Sequence, residues 1–261
     1  MARSPRRTQA QDPMEELAQL AMDLDLTTLA AALPALLVRA EKESLSFTGF
    51  GLELLRTEAC ARRTRRLERS QRRSRLGTVE GIDGFNFSIR PQLEARVVKE
   101  LLNCRFVEEK RNVLCLGKPG LGKTRIAKAI VHAACLAGHS TLCVVTAEML
   151  EDLHASQADG SFRRALGRYV KPAVLLLDEF AYEPFDARAT TYLWRVVAAR
   201  HRQASTVITS NTGFTEWKNL FPSESQAVAT VDRLVDRATI LRFAGKTFRA
   251  PKEIVGAPLD D

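Results

Sequence analysis

Residues Gly117-Lys118-Pro119-Gly120-Leu121-Gly122-Lys123-Thr124 fit G-x-x-x-x-G-K-[ST] at every constrained position. Glycines at this spacing let the backbone wrap closely around phosphates and turn its N–H groups inward. A helix starting at the end of such a loop adds a field that favours negative charge. In this setting Lys123 is expected on the β- and γ-phosphates of ATP, and the Thr124 hydroxyl on Mg²⁺. Arg125 follows directly and is grouped with the loop as a nucleotide contact.

A second constellation lies downstream. Val174-Leu175-Leu176-Leu177-Asp178-Glu179 is an apolar run ending in two carboxylates. Asp178 is expected to hold Mg²⁺, through its waters, and Glu179 to polarise an attacking water. Transfer to an acceptor other than water would not need Glu179, so the pair favours hydrolysis over kinase chemistry. Asn211 follows the apolar stretch Thr206-Val207-Ile208-Thr209 and could sit between γ-phosphate and water; the alternative is a turn-forming Asn ahead of Gly213. Arg233, in Asp232-Arg233-Leu234, could reach a neighbouring copy's γ-phosphate, with Arg237 as its competitor and a solvated arginine as the bland alternative.

These groups need elements that position them. From Pro91 onward the pattern alternates helix and strand. Helices are expected over Pro91–Phe106, Thr124–Ala137, Ala147–Tyr169 (broken near Asp159-Gly160) and Ala187–Arg202. Strands are expected over Asn112–Leu116, Thr141–Val145, Ala173–Leu177 and Ser205–Thr209, with a strand-like stretch from Leu234 to Phe243. The strands are continuous apolar runs, which fits a parallel sheet covered on both faces. The expected fold is α/β: a three-layer αβα P-loop NTPase with a small all-helical N-terminal domain.

That domain is read over 14–76. Leu26, Leu29, Leu33, Leu36 and Leu37 recur at helical spacing, and Phe47, Phe50, Leu54 and Leu55 open a further helix. Residues 1–13 read as a disordered basic tail, 77–90 as a glycine-punctuated linker, 91–252 as the ATPase domain and 253–261 as a tail. In the linker, Phe85 and Phe87 alternate with polar residues; they either anchor the linker or simply pack.

The chain has 261 residues and a net charge of +8, much of it between Arg56 and Arg75, where nine arginines face two glutamates. This density exceeds what salt bridges with Glu58 and Glu68 can absorb. Arg62, Arg63, Arg65, Arg66, Arg69, Arg72 and Arg73 are therefore candidate contacts to DNA phosphates, sequence-nonspecific and salt-sensitive; a solvated face meeting an acidic partner is the alternative. The five cysteines show no paired spacing, as expected for reduced thiols in a cytoplasmic protein. Met1–Gln11 lacks the apolar stretch of a secretory signal. Leu29–Val38 is too short to span a bilayer and carries Pro34, so no membrane association is expected.

Taken in order, the motifs resemble the IstB-like ATP-binding proteins, helper ATPases of bacterial insertion-sequence transposition in the AAA+ group and relatives of DnaC-type helicase loaders. The resemblance runs from about Leu24 to Arg249. It rests on the helical head, Gly84-Phe85-Asn86-Phe87, Asn112-Val113-Leu114, Ile208-Thr209-Ser210-Asn211 with Trp217, Asp232-Arg233-Leu234, and Gly245-Lys246-Thr247-Phe248-Arg249. It implies that Lys123, Thr124, Asp178, Glu179 and Asn211 line an ATP site, and it favours Arg233 over Arg237 as a finger acting in trans. It further implies ATP-dependent homo-oligomers on duplex DNA and a partner transposase. Glu148–Arg168 corresponds to an inserted helical element used for DNA contact, here carrying Arg163, Arg164 and Arg168. The C-terminal helical lid of many relatives is expected to be missing. Departures from the usual pattern are Lys118, Arg125, Asp178-Glu179 and Thr247-Phe248-Arg249, none of which removes a needed group. A replicative helicase loader is the alternative function, and a small-molecule kinase a weaker one.

Overall fold

The computed structural model describes residues 12–245 and 247. The expected basic tail up to residue 11, the tail 253–261, and Lys246, Phe248 and Arg249 of the terminal motif lie outside the described residues. The chain divides into two compact units, residues 1–68 and 69–261. The division falls within a helix, ahead of the glycines of the expected linker.

The first unit holds helices α1 (Pro13–Asp23) and α2 (Thr27–Lys42) and most of α3 (Phe47–Ser74). Asp12 caps α1, its carboxylate accepting from the Met14 N–H at 3.0 Å. Ala21, Leu29, Leu33 and Leu36 form the small core, with Phe50 and Leu54 packed against it. Phe47 and Leu55 of the same helix are exposed. Among the described residues no helix is long and apolar enough to cross a membrane.

The second unit is a five-stranded parallel sheet with helices on both faces. Its elements after α3 are α4 (Ala95–Leu102), α5 (Arg105–Glu108), β1 (Val113–Gly117), α6 (Lys123–Leu136), β2 (Thr141–Val145), α7 (Thr146–Ala155), α8 (Phe162–Val170), β3 (Val174–Asp178), α9 (Ala187–Arg200), β4 (Ser205–Ser210), α10 (Phe214–Trp217), α11 (Glu224–Val235) and β5 (Thr239–Phe243). The strand order is β2-β3-β4-β1-β5. Every pairing is parallel. β3 and β4 are buried along their whole length, which is why β3 reads as an apolar run rather than an alternating one.

Two expectations need correction. The helix expected over Pro91–Phe106 is two short helices, because Cys104 adopts a left-handed conformation (φ 61°) between them. The stretch from Leu234 is not strand at its start. Ser223 caps α11 by accepting from the Gln226 N–H, and Ala227, Thr230 and Leu234 bury one face of that helix. Arg233 is thus in the last helical turn, and β5 begins only at Thr239.

The strap 80–90 packs onto this unit. Asn86 caps a short 3₁₀ turn, Phe87–Ile89. Phe85 is buried, and its ring meets that of Phe87 at a centroid distance of 4.9 Å. Arg200 is also buried. Its guanidinium donates to the carbonyl oxygens of Tyr169, Val170, Pro172 and Ser205 and, at 3.1 Å, to the Thr206 hydroxyl. It ties the end of α8 to the start of β4.

Candidate nucleotide site

Each residue of the site leaves the carboxyl end of a strand. The central strands run parallel, so their carboxyl ends converge on one edge of the sheet, where α/β proteins build their binding clefts. The glycine loop joins β1 to α6. Gly117 has φ 151°, and a Cβ there would lie 2.1 Å from the Phe243 carbonyl oxygen of β5. No other residue fits that position, so the loop must begin at a glycine. Gly120 (φ 74°) and Gly122 (φ 90°) complete the wrap, and Gly122 starts α6.

Lys123 is buried, and its ammonium donates to the Lys118 carbonyl and to Asn211 Oδ1, both at 2.8 Å. Asn211, just past β4, therefore meets the lysine rather than serving only as a turn residue. Thr124 Oγ1 donates to Asp178 Oδ1 at 3.0 Å. Thr209 donates to the same carboxylate oxygen and accepts from the Glu179 N–H at 3.1 Å. Thr146 Oγ1 donates to the Asp178 carbonyl at 2.9 Å. Glu179 has φ 55°, a left-handed turn immediately after the strand that leaves its side chain exposed along the cavity wall. Three hydroxyls, those of Thr124, Thr146 and Thr209, thus hold the acidic pair in place. Thr209 escaped sequence reasoning because it was read simply as the last residue of a strand; its position one step before Ser210-Asn211 was the available signal.

A cavity of about 380 Å³ collects Pro119 to Arg125, Glu179, Thr209 and Asn211 with Glu80, Gly84 and Phe85 of the strap. Its size is that of a small-ligand site. The strap's share in its wall was not foreseen. Arg125 explains how the strap is held. Its guanidinium donates to the carbonyls of Gly81 (2.9 Å) and Asp83 (3.0 Å), pairs with Glu80 at 3.2 Å and lies over the Phe85 ring. The terminal motif returns here too: Thr247 Oγ1 contacts the Gly120 carbonyl at 3.4 Å, and a Cβ on Gly245 would collide with the Ile89 carbonyl at 2.4 Å. Behind the loop, burial and then the Asp178 charge push the Cys115 thiol up to about 12, and Cys143 is pushed up to about 11 by the same two causes. Both are inert thiols at neutral pH.

The donor set suits a magnesium nucleotide. Backbone N–H groups and Lys123 could take phosphates, the Thr124 hydroxyl and the Asp178 carboxylate offer the hard oxygens Mg²⁺ prefers, and Glu179 could accept a proton from water.

The model for the IstB-like ATP binding protein family matches residues 18–254. The chain belongs to that family. It is 32% identical over 236 residues to a protein of insertion sequence IS21 from Pseudomonas aeruginosa that is named for ATP binding, covering 90% of this chain and 89% of that one. It is 31% identical over 226 residues to the corresponding protein of IS5376 from Geobacillus stearothermophilus, covering 87% and 90%. Among solved structures it resembles the DnaC helicase loader (TM-score 0.50, 17% identity, 57% of this chain and 87% of that one) and DnaI (TM-score 0.50, 20% identity, 57% and 84%). These two likenesses establish a shared fold.

In this IstB-like chain Arg233 stands apart from the cavity. Its guanidinium donates to the Ala229 carbonyl at 2.7 Å and lies over the Trp194 ring. Asn112 Nδ2 donates to the Leu234 carbonyl at 3.0 Å, which ties this segment to the amino end of β1. The phosphate loop lies at the other end of that five-residue strand, roughly 16 Å away at about 3.3 Å per residue. Arg237 is exposed one turn on, with φ 57°.

The arginine-rich segment divides. Arg62 Nε and Arg65 Nη2 both bind Glu58 Oε1, at 3.0 and 2.7 Å, while Glu58 Oε2 accepts from the Leu29 N–H at 3.1 Å. Arg65 also donates to the Thr27 hydroxyl. Burial works to raise the Glu58 carboxyl, but the bonds from Arg62 and Leu29 and the charges of Arg65 and Arg62 outweigh it and hold the group below its usual value. Arg63, Arg66, Arg69, Arg72 and Arg73 are exposed, as are Arg163, Arg164 and Arg168 on α8.

Proposed function

We propose that the chain is a Mg²⁺-dependent ATPase whose hydrolytic site is completed by Arg233 of a neighbouring copy, and that it assembles on duplex DNA and recruits or regulates a transposase. The observation that carries the reading is a separation. Lys123, Asp178, Glu179 and Asn211 gather at one end of the sheet, while Arg233 is tied to the other end of β1. This separation supports a role for Arg233 at another subunit's site. Lys123 would bind phosphate oxygens in place of the Lys118 carbonyl, Asn211 would orient the attacking water, and Glu179 would take its proton. Bound Mg²⁺, held through Thr124 and Asp178, would neutralise phosphate charge. Membership of an insertion-sequence family supports the link to transposition. The likeness to helicase loaders supports the fold alone, so a loader function has less behind it.

The test is ATP hydrolysis with and without duplex DNA by wild type, Glu179→Gln, Arg233→Ala and an equal mixture of the two variants. DNA should stimulate the wild type. Each variant alone should fall by roughly a hundredfold or more. The mixture should recover part of the rate, because an intact Glu179 pocket can receive an intact Arg233. Normal turnover by Arg233→Ala, or a dead mixture of folded chains that still bind nucleotide, would sink the finger in trans. Indifference of the wild type to DNA would sink the DNA-assembled reading.

A further inference from the structure

The end of α11 is capped from a distant part of the chain. The last carbonyls of a helix have no partner within it. In α11 the Asp236 N–H takes the Asp232 carbonyl, and the Ala238 N–H takes that of Val235. The two between them, on Arg233 and Leu234, are taken by one buried side chain, Asn112, whose Nδ2 lies 3.4 and 3.0 Å from their oxygens. The orientation of that amide is fixed. Its oxygen accepts from the Thr206 N–H at 2.9 Å, so only its amino group is left for the helix. The Asn112 carbonyl in turn accepts from the Thr239 N–H at 2.8 Å. The residue just before β1 thus pins the end of α11 to the starts of β4 and β5.

The Arg233 side chain is held separately. Its bond to the Ala229 carbonyl keeps it along α11, and Trp194 of α9, 42% exposed, sets its indole 5.8 Å from the guanidinium carbon. Asp236, three residues on, is engaged by His201 and Arg202, and among the described residues no carboxylate pairs with Arg233. The charge is therefore oriented without being neutralised. We infer that Asn112 and Trp194 are positioning residues for Arg233, Asn112 fixing its backbone and Trp194 its guanidinium, so that a subunit presents the charge already set for its neighbour's phosphates. A free arginine would lose rotamer freedom on reaching a phosphate, and one already held loses less. The inference rests on the finger in trans proposed above and names what holds it.

The test is subunit mixing, read by ATP hydrolysis of the full chain on duplex DNA. Asn112→Asp still accepts from Thr206 but sets a carboxylate oxygen against two carbonyls, and it should lower kcat at least about tenfold. Trp194→Leu keeps an apolar cover on α9 without the π face, and it should lower kcat about threefold. Both should bind a fluorescent ATP analogue as the wild type does. Mixed equally with Glu179→Gln, each should exceed the mean of the two chains measured alone, because the Glu179→Gln chain brings a well-held Arg233 to an intact pocket. Mixed with Arg233→Ala, neither should exceed that mean, because no chain then brings such an arginine. Thermal unfolding checks each variant, and Trp194→Leu carries the test should Asn112→Asp fail to fold. Any other pattern overturns the inference, above all a gain with Arg233→Ala but none with Glu179→Gln, which would assign both residues to their own subunit's pocket. Normal turnover by Arg233→Ala alone would instead remove the finger itself, a separate result.

Discussion

The glycine loop and the arginine-rich end of α3 both read as phosphate-binding regions in the sequence, and the structure treats them in opposite ways. In the loop the residues keep one another in place. Gly117 is forced by the β5 backbone, Lys123 meets Asn211 across 88 positions of chain, and Thr124 and Thr209 share the Asp178 carboxylate. On α3 identical side chains part company: one buried glutamate captures Arg62 and Arg65, while Arg63 and Arg66 stay exposed. Spacing that encodes a strand, a turn and a helix fixes geometry. Density of charge does not, because a long flexible arginine goes to whichever carboxylate lies in reach.

The sharpest way to break this contrast is in the loop. Gly117→Ala drives a methyl into the Phe243 carbonyl, and we expect the second unit to lose more than about 3 kcal/mol or to fail to fold, as read by urea unfolding. Gly213→Ala, where a Cβ meets nothing within 4 Å, should change stability little. Equal behaviour of the two would mean that the loop is not locked by β5.

The next effect lies in the first unit. Glu58 has a lowered folded-state pKa, so its contribution to stability is full above its unfolded value near 4.5 and is lost as pH falls through the lower folded value. Glu58→Gln should lower the unfolding temperature at neutral pH and flatten its decline in that acid window. An unchanged acid limb would mean that Glu58 does not organise the arginines.

The smallest effect separates the arginines themselves. Arg63→Gln/Arg66→Gln should reduce the salt slope of DNA binding by up to about 0.9 per residue, whereas Arg62→Gln should leave the slope alone and cost stability. A slope that responds equally to all three would restore a uniform arginine clamp.

Much of the site was legible because its signals are local. The G-x-x-x-x-G-K-T run calls for a strand before and a helix after, and downstream of it an apolar run ending in Asp178-Glu179 reads as a buried strand with its carboxylates at the tip. Asn211 was likewise readable from its place after β4. Arg125 was grouped with the phosphate loop by adjacency, yet its guanidinium turns to the Gly81 and Asp83 carbonyls. Arg233, read as a candidate finger for a neighbouring copy, lies in the last turn of α11, which runs one residue into the stretch that the sequence suggested was strand from Leu234.

By itself the sequence determined the parallel αβα layering, the phosphate loop, the acidic pair and the family, since each depends on short-range spacing or on burial of both sheet faces. Only the tertiary structure decided what lies beside what. It brought the strap 80–90 into the nucleotide cavity, tied Arg233 to the far end of β1 and sent Arg62 and Arg65 to Glu58. The physical reason is the reach of the groups involved. Backbone geometry propagates over a few residues and is written in their order, whereas a guanidinium on a flexible stem is placed by whichever carbonyls and carboxylates the packed chain brings within hydrogen-bonding distance.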